Sequence, residues 1–138
     1  MKTWIFTLAL LLTGLNYATS QSLSFDGLWE GTLERENGES LFVRIYIEEN
    51  NVYMTTRDED GDLVKDYSKQ VMMSKGYKGQ LNAFWMDSGG VWTETQFYSL
   101  SRKSDSVLSV FFTRHVSNKE GSGYTDWGYT ATGNMTKQ

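Results

Sequence analysis

From Gly27 to Met135 the chain consists of short runs of alternating side chains separated by Gly, Asn, Asp and Ser, and this period of two predicts strands with one face buried. Eight runs can be traced: 27–36, 41–48, 52–57, 63–74, 80–86, 91–100, 107–116 and 124–135. In the second, Leu41, Val43, Ile45 and Ile47 share one face, and Phe42, Arg44, Tyr46 and Glu48 share the other. Asn37-Gly38 is a hairpin signal because both positions tolerate positive φ. No stretch carries a sustained helical period. Proline, which cannot donate to a strand ladder, is absent. Consecutive runs joined by short loops predict an all-β fold, an eight-stranded antiparallel up-and-down barrel whose closure removes exposed edges. A sandwich of two sheets is the alternative.

The first twenty residues follow a different grammar. Lys2 precedes the apolar stretch Trp4 to Leu12, and Ala18-Thr19-Ser20 is a small-x-small site; together they predict a signal peptide over residues 1–20 and a secreted or periplasmic product. That stretch is shorter than the ~20 apolar residues a spanning helix needs. With no cysteine for a lipid at the cleavage site, no membrane anchor is expected. Residues 21–138 suit a single β-barrel domain. Cleavage removes Lys2 and no acidic residue, so the formal charge of -4 becomes -5. With that charge and no basic stripe, nucleic acid is not an expected partner. Lacking cysteine, the domain must hold by burial and hydrogen bonding alone.

Gly27-Leu28-Trp29 opens the first run, and a Gly-x-Trp there resembles the calycin barrels: lipocalins, fatty-acid-binding proteins and avidins. A four-residue turn follows, where fatty-acid-binding proteins insert two helices, so the avidin type fits best. The later runs are similar to avidins as well. Trp85 lies in 80–86, Val91-Trp92-Thr93 opens the next run, Leu108 to Phe112 replaces a Leu-x-x-x-Trp with phenylalanine, and Trp127 to Gly133 keeps a Trp-x5-Gly spacing. The resemblance implies a barrel with a ligand in its mouth. It also marks departures: Gly31 stands where avidins place an asparagine on the ureido oxygen of biotin, Met135 falls at the ring-nitrogen acceptor, and Gly90 replaces a threonine, while Ser88 is kept. Each missing partner in a buried site costs roughly 1 to 3 kcal/mol, so tight biotin binding is not expected.

Candidate chemistry is sparse. Asp58-x-Asp60-Gly61-Asp62 looks like part of a calcium loop, but with Gly61 at position six the first position is Thr56 and the twelfth is Tyr67; that departs from the EF-hand pattern and reads as a solvated turn. His115, the only histidine, has no nucleophile motif beside it, and a hydrogen-bonded histidine at a strand end is its plain reading. Glu30 and Glu34 point outward if Trp29 points in. Aromatics are the feature above background. The expected ligand-binding residues are Trp29, Trp85, Ser88, Trp92 and Phe112, with core packing as the competing role for the rings. Trp85 and Trp92 flank the Ser88-Gly89-Gly90 loop, a usual setting for a ligand.

The expected function is binding of a small, partly apolar ligand, with no cofactor, metal or catalytic residue assigned. The alternative is an interaction module holding a glycan or protein through surface aromatics such as Tyr46, Tyr53 and Tyr98; an enzyme leaning on His115 is third. Leu108, Val110 and Phe112 on one face and Val107 and Phe111 on the other make a strand apolar on both sides, which predicts a homo-oligomer. Asn134-Met135-Thr136 matches a glycosylation acceptor.

Overall fold

The computed structural model describes residues 24–49, 51–67, 72–75 and 79–138, with 72–75 as backbone alone. The expected signal peptide lies outside the described residues, as does the middle of the fourth run. The strands are β1 (Gly27–Arg35), β2 (Ser40–Glu48), β3 (Asn51–Arg57), β4 (Leu63–Asp66), β5 (Met72–Lys75), β6 (Gln80–Ser88), β7 (Trp92–Arg102), β8 (Val107–Asn118) and β9 (Trp127–Lys137). Among the described residues there is no helix. All pairings are antiparallel, and the order across the sheet is β4-β3-β2-β1-β9-β8-β7-β6-β5.

The first and last strands pair, as closure of a meander requires. The ladder is interrupted elsewhere. The fourth run is two strands rather than one, with β4 on β3 and β5 on β6, and among the described residues no ladder joins β4 to β5. The described residues therefore form an all-antiparallel curled sheet of nine strands, compatible with the barrel that alternation predicts, with the expected fourth run divided between its two edges. The two edges remain near each other: six Cα steps from Asp66 to Met72 span at most about 22 Å, and Cα atoms of β3 and β5 come within 8 Å.

The ladder registers sort the inner face into rows. Leu81, Leu100, Val110, Gly133 and Leu33 are successive cross-strand partners and make an apolar row. Ala83, Tyr98, Phe112, Ala131 and Arg35 form the next. Beyond it lies Trp85, Gln96, Arg114 and Tyr129, then Asp87, Glu94, Val116 and Trp127. The interior thus grades from apolar to polar along the strands.

The apolar end is sealed. Trp29, Leu33, Ile45, Ile47, Leu81, Leu100, Leu108 and Met135 are fully buried there, each of the large aliphatic ones contributing roughly 1.5 to 3 kcal/mol by burial. Trp29 Nε1 donates to the Phe25 carbonyl at 2.7 Å, and the Arg102 guanidinium donates to the Ser24 carbonyl. Together these bonds fold the segment before β1 across this end. Lys137 completes the seal, its ammonium 5.7 Å from the Trp29 ring centroid.

Three glycines let β9 pack closely against its neighbours. A Cβ on Gly31 would collide with the Asn134 carbonyl oxygen and stand 2.9 Å from Met135 Cα, and one on Gly133 would lie 2.8 Å from the Thr32 carbonyl oxygen. Gly128 is as confined, 2.7 Å from the Arg114 carbonyl oxygen. Glycine inside a strand commonly marks such an approach. At Gly31 the approach leaves no room for a side chain such as asparagine.

Candidate ligand cavity

β7 builds the polar end from one face. Glu94, Gln96 and Tyr98 are two residues apart, so all three point inward, and Glu94 and Gln96 are the buried polar side chains among the described residues. They form a chain: the Tyr98 hydroxyl donates to Gln96 Oε1 at 3.2 Å, and Gln96 Nε2 donates to Glu94 Oε1 at 2.6 Å. From β8, Arg114 Nη2 donates to Glu94 Oε2 at 2.7 Å. A buried polar group is tolerated when it is hydrogen-bonded in this way. Burial holds the Tyr98 phenol protonated well above its ordinary range. Burial works against the Arg114 charge, but hydrogen bonds to Glu94 and Tyr129 outweigh it and hold the guanidinium above its ordinary value.

Aromatic rings frame this chain. Phe112 lies between Tyr98 and Tyr129, with centroids 4.6 and 5.9 Å away. Tyr129 stacks nearly parallel to Trp127 at 6.4 Å. The Arg35 guanidinium sits 3.6 Å over the Tyr129 ring and that of Arg114 sits 4.9 Å over Trp127, where cations are attracted to the ring faces.

Beside this network is an open cavity of about 320 Å³. Leu41, Met54 and Phe112 supply apolar lining; Gln96, Tyr98, Arg114 and Tyr129 supply polar lining. Its walls come from β2 and β3 on one side and from β7, β8 and β9 on the other. Strands that far apart in the sheet meet only because it curls.

Of the five residues expected to bind a ligand, Phe112 lines this cavity. Trp85 is buried on the inner face, opposite Gln96. Trp29 lies in the apolar seal with its indole nitrogen bonded to Phe25. Trp92 packs against Gly89, where a Cβ would collide with its ring, and lines a separate depression of about 260 Å³ with Ser117 and Asn118. Ser88 is exposed at the end of β6, its amide donating to Asp87 Oδ1 at 2.8 Å. Gln96 and Arg114 in the cavity wall, and Glu94 bonded to both of them, went unnoticed in sequence. Their signal was strand phase: Gln96 shares a face with Tyr98 and Leu100, and Arg114 shares one with Phe112 and Val110.

Other candidates are placed as follows. Tyr98 is 2% exposed, so it is an interior residue rather than a surface aromatic. Tyr46 and Tyr53 are partly exposed on the outside, with the Lys65 ammonium 4.6 and 5.2 Å over their rings. His115 is exposed on the outer face opposite Thr95 and Gly128. In the acidic turn, Asp58 Oδ1 accepts from the amides of Asp60 and Asp62 at 3.1 and 2.8 Å, using the carboxylate to cap the turn. Asn134 is exposed on β9, its Oδ1 accepting from Lys103 Nζ at 2.9 Å. Among the described residues no three His, Asp or Glu side chains gather as a metal site. No protein-family model matches the chain, and no curated protein or solved structure matches it.

Proposed function

We propose that this is an exported binding protein that holds one small, partly apolar ligand in the polar end of an avidin-like curled sheet. The observation that carries the reading is the cavity of about 320 Å³ with apolar and polar walls facing each other. Its size is at the low end of the range for ligand sites, and its few converging polar groups are of the kind that fix a ligand's orientation. The network behind it is pre-organised, because each buried member is held by a hydrogen bond to the next. The charged start, apolar stretch and small-residue site in the first twenty residues support export.

The test is titration with the neutral fluorophore N-phenyl-1-naphthylamine. It should bind with one-to-one stoichiometry and blue-shifted emission, and Leu41→Trp, which fills the cavity from β2, should weaken binding by about tenfold or more. Trp92→Ala, in the separate depression, should leave it within about twofold. Equal binding by the Leu41→Trp protein would refute the reading.

A further inference from the structure

The acceptors on the polar wall of the cavity are engaged from within. Gln96 Oε1 takes the Tyr98 hydroxyl, Glu94 Oε1 takes Gln96 Nε2, and Glu94 Oε2 takes Arg114 Nη2. Tyr129 is the cross-strand partner of Arg114 on β9. The Gln96 and Glu94 oxygens are thus each engaged at least once, whereas donor hydrogens on the same wall remain unused. A primary amide carries two hydrogens, a guanidinium five and a phenol one, so Gln96, Arg114 and Tyr129 each have a hydrogen beyond those the network uses. All three line the cavity.

The surrounding charges agree with that polarity. Arg35 and Arg114 both lie at this end, against Tyr129 and Trp127. Glu94, which touches two of the lining residues, is already bonded to Arg114 and Gln96, and Glu30 is paired with Arg44. Glu39, the ion-pair partner of Arg35, is exposed, where water screens its charge. Asp66, on the inner face across from Met54, is engaged in an interaction of its own.

We infer that the ligand is a small amphipathic acid, its carboxylate accepting hydrogen bonds from Arg114, Tyr129 and Gln96 and its apolar body lying against Leu41, Met54 and Phe112. The inference rests on the ligand-binding reading above and names the ligand's chemical class. A carboxylate suits this wall better than an alcohol because charge-assisted hydrogen bonds are roughly twice as strong as neutral ones. An ammonium would bring donors to donors.

Octanoate, octan-1-ol and octylamine share one apolar body and differ in the head group. Measured by calorimetry at neutral pH, octanoate should bind about tenfold or more tighter than either of the others. Tyr129→Phe keeps the ring beneath Arg35 but removes the hydroxyl; it should weaken octanoate by about five- to tenfold and leave octanol within about twofold. Octanol or octylamine binding as tightly as octanoate would overturn the inference and leave the cavity reading in place. Failure of all three ligands with a protein that still takes the naphthylamine probe would do the same. Failure of the probe as well would overturn both.

Discussion

Replacing Gly31 with alanine tests whether the closure of β1 on β9 is as tight as described. The added methyl would collide with the Asn134 carbonyl oxygen and stand 2.9 Å from Met135 Cα and 3.0 Å from the Asn134 carbonyl carbon. Every one of these atoms is backbone in the paired strand, so no side-chain rotation relieves the contact. Either β9 shifts outward, loosening the Met135 packing behind it, or the ladder opens locally. Overpacking of this kind costs about 1 to 3 kcal/mol, and for a domain of this size each kcal/mol lowers Tm by roughly 4 °C. Thermal and urea unfolding of Gly31→Ala should therefore show Tm lower by about 4 to 12 °C. Gly90→Ala is the matched control, because a Cβ there meets nothing within 4 Å; it should change stability by no more than about 0.5 kcal/mol. A Gly31→Ala protein as stable as the parent would refute the close approach, and with it the reason an asparagine is excluded at that position.

Two further outcomes are expected. Tyr98 stays protonated in the fold above its ordinary range because of burial, whereas in the unfolded chain a tyrosine ionises near pH 10. Its contribution is therefore fully present below about pH 10 and falls as pH rises further, at up to about 1.4 kcal/mol per pH unit. Tyr98→Phe removes that slope, so the stability gap between parent and variant should shrink between about pH 10 and 11 in urea unfolding; a gap constant with pH would contradict it. On the outside, Phe84 pairs opposite Phe97, with exposed Phe111 and Met86 nearby, and light scattering at micromolar concentration should show self-association; a clean monomer would contradict that expectation.

The strands were legible because alternation is a local signal. Leu33, Val43, Ile45, Ile47, Leu108, Val110 and Phe112 declared their inner face without knowledge of the partners. That the two ends of the fourth run pair with different neighbours, β4 with β3 and β5 with β6, was not legible, since alternation says nothing about partners. The cavity was hidden for a different reason. Along Thr93-Glu94-Thr95-Gln96-Phe97-Tyr98 the buried face is the more polar one, and Phe97 lies on the outer side. Hydrophobicity there inverts, and only continuity of phase from Leu100 places Glu94 and Gln96 inside. The tryptophans misdirected attention in the same way. An indole fills a core as readily as it lines a site, and residue type alone did not separate Trp29 in the seal from the rings at the polar end.

Three methionine methyls sample the regions that matter: Met54 lines the cavity, Met135 is buried toward the apolar end, and Met86 is exposed outside. With 13C-methyl methionine labelling, titration with the naphthylamine probe should shift the Met54 resonance along a single saturable curve and leave Met135 and Met86 in place. A shift confined to Met86, or a saturating probe that does not move Met54, would show that binding occurs elsewhere and that the polar end of the curled sheet is not the site.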